Sequence, residues 1–281
     1  MAYWNSTTKA PEPLSPIQIG NQFMKCAKII KTNSGLATGV LNFAAFHTRS
    51  LSVAIGLWVG LALLTGCSTA NRPSPVAGGT HVRTITLVEL ERSLPPHPIH
   101  VAFDVDDTAL FTSAGFQWGT RTYGKEIVSA GVSVREEDLP TSEAKRKYRE
   151  FWTKMNNELD QYSVKKWIAV ELIRMHKTRG DHIFFITKRI NTGSERLTEL
   201  LRKEFDLPEL QPVIFTNRES KAPAFRRVQA VVSYGDSDSD IRESIEAGAR
   251  PVRVMRARTS VNVEPVHNGA FGEEVLLNSE F

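Results

Sequence analysis

Five short apolar runs, separated by segments with helical spacing, constrain the fold of this chain more than any other feature of its sequence. Each run has five or six residues, is rich in β-branched or aromatic side chains, and is bounded by turn residues, as expected of buried strands. Strands that alternate with helices form parallel sheets with helices on both faces. The sequence therefore predicts an α/β fold with a doubly wound parallel sheet, whose strands would be residues 99–104, 182–187, 212–216, 230–234 and 251–255.

Three helices are predicted between these strands. Apolar residues recur at helical spacing from residue 164 to residue 175, and Gly180 is a suitable stop. Thr192 and Glu195 have the spacing of a capping box, which would begin a second helix. The third helix is expected to end near Gly248.

The segment of residues 105–160 departs from this alternation. It has no clear strand pattern, but it contains several aromatic residues and a charged run that is typical of a solvated helix face. An insertion of this size after the first core strand usually covers the carboxyl edge of the sheet. We therefore expect a small helical cap at about residues 110–162.

Residues 1–66 have the features of an export signal. An uncharged apolar run follows Arg49 and ends in Leu-Thr-Gly-Cys at residues 64–67. This ending resembles the lipobox of bacterial lipoproteins, in which the cysteine becomes the lipidated first residue. The run is short for a spanning helix, although an uncleaved anchor and a buried core helix remain as alternatives.

These features predict a lipid anchor at Cys67. Ser68 behind it resembles the pattern of outer-membrane lipoproteins, so we expect a periplasmic protein held on the outer membrane. Small and polar residues at 67–80 are typical of a flexible tether. The folded domain is then expected at residues 81–281.

The positive charge of the chain is confined to the signal segment. The whole sequence has a net charge of +4, but residues 1–66 contain five lysines or arginines and one acidic residue. Residues 67–281 therefore have equal numbers of basic and acidic side chains, thirty of each. The mature domain thus lacks the excess of positive charge that proteins binding nucleic acid polymers usually have.

Acidic residues cluster directly after two of the predicted strands. Asp104 and Asp106 follow the first strand in the sequence FDVDDT, and Asp236 and Asp240 lie in GDSDSD after the fourth. The ligand crevice of an open α/β sheet lies outside the carboxyl ends of its strands, so we expect both groups to meet there. Carboxylates this close repel one another, and Mg²⁺, which prefers oxygen ligands, would relieve that repulsion. Solvated aspartates that cap a helix are the alternative for the first group.

Hydroxyl and cationic side chains follow two further strands. Thr187, Lys188 and Arg189 come after the second strand, and Lys221 lies in the loop after the third. Such groups are the donors that stabilise phosphoryl oxygens. The four strand ends together predict a nucleophile, metal ligands and an anion clamp at one site.

These motifs resemble those of the haloacid dehalogenase superfamily. Asp-x-Asp-x-Thr at 104–108, Thr187, Lys221 and the acidic loop at 235–240 match its four motifs. The stretches FDVDDTALF, FWTKMNN, MHKTRGDHIFFIT, YGDSDSDI and GAFGEEVLLNSEF are similar, more specifically, to the bacterial class B non-specific acid phosphatases. The resemblance extends over about residues 81–281 and implies a haloacid dehalogenase-like Rossmannoid fold with a Mg²⁺-dependent phosphatase activity.

The resemblance also implies a role for each residue of the site. Asp104 would be the nucleophile that forms an aspartyl-phosphate, and Asp106 would be the general acid and base. Mg²⁺ would be held by Asp104, the backbone carbonyl of Asp106, and Asp236. The remaining implied residues are Thr187, Lys188, Arg189 and Lys221 as phosphate ligands, Thr108 and Asp240 around the metal site, and Phe116 and Trp152 as an aromatic slot for a nucleoside or aryl group. Packing of the cap is the alternative for the two aromatic residues.

Members of the family usually have Thr-Gly-Arg at positions 187–189 and a longer, glycine-bearing loop before the lysine that matches Lys221. Both departures concern substrate preference and rate. The resemblance implies small-molecule phosphomonoesters as substrates, namely nucleotides and sugar and aryl phosphates, and a homotetrameric assembly. The alternatives are a phosphotransferase that moves phosphate to nucleosides or alcohols and a nucleotide-binding lipoprotein without turnover.

Overall fold

The computed structural model describes residues 82–129 and 134–281. Its strands are β1 (Arg83–Ile85), β2 (His100–Phe103), β3 (Leu110–Phe111), β4 (Val164–Lys165), β5 (His182–Thr187), β6 (Ile214–Phe215), β7 (Val232–Gly235), β8 (Arg250–Arg253) and β9 (Glu274–Leu276). Its helices are α1 (Leu87–Ser93), α2 (Ser113–Tyr123), α3 (Ser142–Asn157), α4 (Trp167–Arg179), α5 (Leu197–Glu204), α6 (Ala222–Arg227) and α7 (Asp238–Ala247). Two short 3₁₀ turns lie at Glu136–Asp138 and Leu159–Tyr162.

Seven strands form one sheet in the order β1-β9-β8-β7-β2-β5-β6. Every neighbouring pair in it is parallel. The predicted α/β fold with a doubly wound parallel sheet is therefore confirmed. Four of the five predicted strands are shorter than expected, and the neighbouring strands β1 and β9 at one side of the sheet were not predicted.

The sheet is buried on both of its faces. Along β2, Val101 and Phe103 pack into a cluster with residues of α1, α4 and α5, whereas Ala102 belongs to a second cluster with residues of α6. Along β5, Phe185 and Ile186 divide in the same way. Because side chains alternate across a strand, only continuous apolar runs satisfy both faces, and this explains the sequences of the central strands.

The predicted helices that correspond to α4 and α7 end as expected, whereas the one that corresponds to α5 begins later than expected. Gly180 and Gly248 follow α4 and α7 in the left-handed conformation, with φ of 75° and 80°. Glu195 does accept hydrogen bonds from Thr192, but α5 begins only at Leu197. The reason is Gly193, whose φ of 86° interrupts any helix that starts at Thr192.

A buried polar network joins the end of α4 to the central strands. The ring of His176 lies 2.7 Å from both the carboxylate of Asp181 and the hydroxyl of Tyr234. Asp181 also accepts a 2.8 Å hydrogen bond from the amide of Ile99, just before β2. Burial lowers the pKa of His176, in spite of the opposing effect of Asp181, so the ring is held neutral between its partners.

The cap segment is helical and has a hydrophobic cluster of its own. Strands β3 and β4 pair in antiparallel orientation at its two ends, and α2 packs against α3 between them. A Cβ atom on Gly119 would lie 2.3 Å from the ring of Phe151, so glycine allows the two helices to approach this closely. The cap cluster consists of Phe116, Tyr123, Ile127, Val128, Leu139, Tyr148, Phe151, Trp152, Met155 and Leu159.

The predicted signal segment, Cys67 and the predicted tether lie outside the described residues. Among the residues that are described, no helix is both long and apolar enough to cross a membrane.

Candidate active site

Four adjacent strand ends form one wall of a cleft, and cap residues form the other. Strands β7, β2, β5 and β6 are neighbours and parallel, so their carboxyl ends lie side by side. The cleft has a volume of about 330 Å³. Ten of the predicted site residues line it: Asp104, Asp106, Phe116, Trp152, Thr187, Lys188, Arg189, Lys221, Asp236 and Asp240. Thr108, the remaining one, is buried and donates to Asp236 Oδ1 at 3.4 Å.

A tight turn after β2 brings Asp104 and Asp106 to the cleft. The amide of Asp104 still pairs with the carbonyl of Tyr234 on β7, at 2.9 Å. The amides of Ala109 and Leu110 then return to the carbonyl of Val105, which folds the chain back on itself. Both carboxylates therefore follow the strand within one turn of its end.

Lys221 joins the nucleophile candidate to the acidic loop. Its ammonium is buried and lies 2.5 Å from Asp104 Oδ1 and 2.7 Å from Asp240 Oδ1. Burial acts to lower the pKa of this lysine, but Asp104 and Asp240 outweigh it and raise the pKa above its ordinary value. Lys221 is therefore a permanent cation at the floor of the cleft.

Asp104, Asp236 and Asp240 form a compact acidic group. One carboxylate oxygen from each lies within 4.8 Å of the others, and all three residues are buried. Burial, reinforced by Asp240 and Asp236 and opposed by Lys221, raises the pKa of Asp104 well above its ordinary value. Burial also raises the pKa of Asp236 to about 7, against the effect of Arg256.

This donor set fits a hard divalent cation. Mg²⁺ prefers carboxylate oxygens as ligands, and a bound cation would favour the ionised forms of Asp104 and Asp236, whose pKa values burial raises. Asp240, which we predicted next to the metal site, has its carboxylate within the acidic group itself. The carboxylate of Asp106 lies elsewhere.

Arg189 holds Asp106 in place. Its Nε and Nη2 donate to the two oxygens of Asp106 at 3.0 and 2.9 Å, and its Nη1 and Nη2 donate to the two oxygens of Asp160 at 2.6 and 2.8 Å. A longer bond of 3.4 Å reaches Asn156. We predicted Arg189 as a phosphate ligand. In the structure its N–H donors are directed to protein acceptors, and its contact with both oxygens of Asp106 orients that carboxylate.

The contact between Arg189 and Asp106 also sets the acidity of Asp106. Burial acts to raise the pKa of Asp106, but the charge and hydrogen bonds of Arg189 outweigh it and hold the pKa below its ordinary value. In the free site Asp106 is therefore a carboxylate, ready to accept a proton.

Lys188 and Thr187 lie beside this pair. Lys188, which replaces the glycine usual in the family, forms a 2.6 Å ion pair with Glu243. The other oxygen of Glu243 accepts a hydrogen bond from the amide of Lys221. The hydroxyl of Thr187 accepts a hydrogen bond from the amide of Arg189 at 3.2 Å, and its proton remains available to a ligand in the cleft.

Phe116 and Trp152 belong to the cap cluster and also line the cleft. Their ring centroids are 6.0 Å apart in an edge-to-face arrangement, and only 1% of Trp152 is exposed. The two predicted roles, packing and contact with a leaving group, are therefore compatible in this geometry.

Four residues whose side chains contact predicted site residues were not themselves predicted: Asp160, Arg218, Glu243 and Arg256. Arg256 follows β8 and binds Asp236 Oδ2 at 2.6 Å, so the rule that located the other strand-end residues would have found it. Asp160 lies 29 residues from Arg189, within the cap, and no spacing in the sequence links the two.

Comparison with known proteins identifies relatives over most of the domain. The family described as HAD superfamily, subfamily IIIB (Acid phosphatase), matches residues 80–261. The class B acid phosphatase of Citrobacter rodentium is 37% identical over 233 residues, which are 77% of this chain and 92% of that protein. The class B acid phosphatase of Klebsiella pneumoniae is 38% identical over 228 residues, 75% of this chain and 90% of that protein. Among solved structures, a haloacid dehalogenase-like family hydrolase from Streptococcus pneumoniae superimposes with a TM-score of 0.46 at 13% identity, covering 66% of this chain and 96% of that one.

Proposed function

Because this chain belongs to subfamily IIIB of the HAD superfamily, the acid phosphatases, we propose that it hydrolyses organic phosphomonoesters through an aspartyl-phosphate on Asp104. The chain is a phosphoric monoester hydrolase with a haloacid dehalogenase-like Rossmannoid fold. The proposal concerns its mechanism, its cation and its substrates, which would be nucleotides and sugar and aryl phosphates.

One observation carries the proposal above the others. Asp104 at the end of β2 and Asp236 at the end of β7 have carboxylate oxygens within 4.8 Å of each other, while Lys221 lies 2.5 Å from Asp104. A carboxylate that can attack phosphorus thus lies beside both a potential cation site and a fixed ammonium.

In the first step, an oxygen of Asp104 forms a bond to phosphorus and the bond from phosphorus to the leaving oxygen breaks. Lys221 and the hydroxyl of Thr187 donate to the phosphoryl oxygens. The leaving oxygen takes a proton from Asp106. The nearby phosphoryl anion raises the pKa of Asp106 when substrate binds, which favours the protonated form required here.

In the second step, water attacks the phosphorus of the aspartyl-phosphate and gives its proton to Asp106. The bond between Asp104 and phosphorus breaks, which restores the carboxylate and releases inorganic phosphate. Arg189 favours the carboxylate form of Asp106 and keeps it oriented, so it supports this step. Mg²⁺, held by Asp104, Asp236 and the backbone carbonyl of Asp106, would screen the charge of the phosphoryl group and align it.

Substitution Asp104→Asn tests the nucleophile. We expect phosphate release from an aryl phosphate and a mononucleotide to fall by at least about 1,000-fold, and a circular dichroism spectrum like that of the wild type would verify that the variant is folded. Asp206→Asn, at an exposed position, is the matched control and should keep full activity. Hydrolysis retained by the Asp104→Asn variant would refute the assignment.

Product analysis separates hydrolysis from phosphate transfer. With an added nucleoside, a hydrolase releases phosphate and leaving group in equal amounts. A phosphotransferase would release more leaving group than phosphate. An acid-quenched reaction should also yield a peptide containing phosphorylated Asp104.

We further propose that the protein is lipidated at Cys67 and held on the outer membrane, facing the periplasm. The support is the resemblance of residues 64–67 to a lipobox. Metabolic labelling with a radioactive fatty acid should mark the wild-type protein and fail to mark a Cys67→Ser variant. The homotetrameric assembly stays a prediction from the resemblance.

A further inference from the structure

A tight turn before α6 places Arg218 at the rim of the cleft. The amide of Glu219 donates to the carbonyl of Thr216 at 2.9 Å, and the two residues between them, Asn217 and Arg218, have φ of 54° and 68°. The left-handed conformation is common for asparagine but unfavourable for arginine. Such strain persists where surrounding contacts impose it, often at functional sites.

The contacts that impose it come from the phosphate-binding loop. The amide of Arg218 donates to the carbonyl of Lys188 at 3.0 Å, and that of Asn217 donates to the carbonyl of Arg189 at 3.2 Å. The backbone of Arg218 is therefore hydrogen-bonded directly to Lys188, the residue that follows Thr187. Its position is at the border between the phosphate clamp and the cap.

The side chain of Arg218 packs on the face of Trp152. The guanidinium carbon is 4.6 Å from the ring centroid, within the range of a cation–π contact. Both side chains line the cleft. The stacking holds the planar donor group of Arg218 in a defined orientation.

Arg218 differs from three other cations of the cleft, Lys188, Arg189 and Lys221, in having no acidic partner among the described residues. Lys188, Arg189 and Lys221 each have a carboxylate within 2.9 Å. Arg218 has no ion pair in the part of the chain that the structure describes, and its Nε is buried without an acceptor there. The indole Nε1 of Trp152 is likewise buried and without an acceptor.

We propose that Arg218 and Trp152 form a subsite for a second phosphate group, carried by the leaving-group part of the substrate. Arginine offers a planar pair of donors that matches phosphate, and a charge without a protein partner is free to bind one. The enzyme would then prefer bisphosphorylated substrates, such as a nucleoside 3′,5′-bisphosphate, over the corresponding monophosphate. This inference rests on the proposed phosphatase function.

The test compares kcat/KM for a nucleoside 5′-monophosphate with that for the 3′,5′-bisphosphate of the same nucleoside. We expect the wild type to prefer the bisphosphate by about ten-fold or more, the effect of one charge-assisted hydrogen bond, in addition to the factor of about two that arises because the bisphosphate has two esters. Arg218→Gln should remove this preference while leaving kcat for the monophosphate nearly unchanged. Arg218→Lys should restore part of it.

Two further variants exclude simpler explanations. Arg218→Gly relieves the backbone strain, since glycine adopts positive φ freely, so it should fold at least as well as the wild type and still lose the preference. Arg242→Gln removes a second arginine of the same cleft, which is exposed and packs on Phe271, and it should keep the preference.

Each other outcome has a definite meaning. A wild type that does not discriminate between the substrates overturns the subsite and leaves the phosphatase function intact. An equal loss on both substrates in the Arg218 variants, or loss of the preference in Arg242→Gln, also overturns it. If the wild type hydrolyses neither ester, the proposed function itself fails.

Discussion

Substitution Asp160→Asn would test the clamp between the cap and the catalytic loop. Asp160 is buried, with 4% of its side chain exposed, and it binds Arg189 through both carboxylate oxygens at 2.6 and 2.8 Å. It does not line the active-site cleft. The change therefore removes a charge from the clamp while leaving the surface that contacts substrate intact.

The expected cost follows from these two hydrogen bonds. Asparagine keeps one acceptor oxygen, but its amide group then faces the N–H donors of Arg189. One charge-assisted bond is lost, at about 1.5–3 kcal/mol, and a donor–donor contact is added. We expect the free energy of unfolding to fall by about 2–4 kcal/mol, near the lower part of the range for breaking a buried ion pair. For a domain of this size the melting temperature would fall by roughly 4–16 °C.

The same substitution should change the pH dependence of catalysis. Without Asp160, Arg189 pairs with Asp106 alone, so the pKa of Asp106 falls further. Because the first step needs protonated Asp106, the acid form is then lost at a lower pH. The alkaline limb of the kcat profile should move to lower pH.

Chemical denaturation and a kcat–pH profile would measure both effects. Glu158→Gln is the matched control, since Glu158 lies in the same segment but forms an exposed pair with Lys154, and it should change stability by less than about 0.5 kcal/mol. If Asp160→Asn were as stable as this control, or if its pH profile did not move, the clamp would have no such role.

Three other predictions follow from the described contacts. A Cβ atom on Gly235 would lie 2.3 Å from Cβ of Asp240, so Gly235→Ala should lower the free energy of unfolding by about 1–3 kcal/mol. The change should also displace Asp240, the partner of Lys221, and an unchanged kcat/KM would contradict this. Tyr234→Phe leaves the buried ring of His176 without its hydroxyl partner, so the free energy of unfolding in urea should fall by about 1–3 kcal/mol. An unchanged free energy of unfolding would contradict this. In chelated protein, the raised pKa of Asp236, about 7 against an ordinary 3.8, contributes stability that is complete below the ordinary value and is lost as the pH rises through 7. Mg²⁺ should therefore raise the melting temperature more at pH 8 than at pH 5, and equal gains would argue against a cation at this group.

The central strands could be predicted because burial on both faces of the sheet requires continuous apolar sequences. Strands β1 and β9 could not, since they have three residues each and contain Arg83 and Glu274, which pair with each other at 2.9 Å. Charged residues in a run this short give no strand pattern. Their pairing depends on chain segments almost two hundred residues apart.

The site was predictable where it depends on strand ends and not where it depends on the cap. Parallel strands in adjacent positions bring Asp104, Thr187 and Asp236 to one edge whatever the details of packing. The role of Arg189 depends on Asp160, and that of Arg218 depends on a turn whose conformation its sequence disfavours. Tertiary contacts determine both, so residue type and spacing alone did not indicate them.

The separation of the cap cluster from the clusters of the sheet has a practical consequence for directed evolution. Phe116 and Trp152, which we predict to contact the leaving group, belong to a packing unit distinct from the clusters of the sheet whose strand ends carry the reacting groups. A library restricted to cap positions other than Asn156 and Asp160, which accept hydrogen bonds from Arg189, can therefore explore new leaving groups while the reacting groups stay where they are. The paired strands β3 and β4 lie at the two ends of the cap, so the cap could be exchanged there with that of a relative that keeps the acceptors of Arg189.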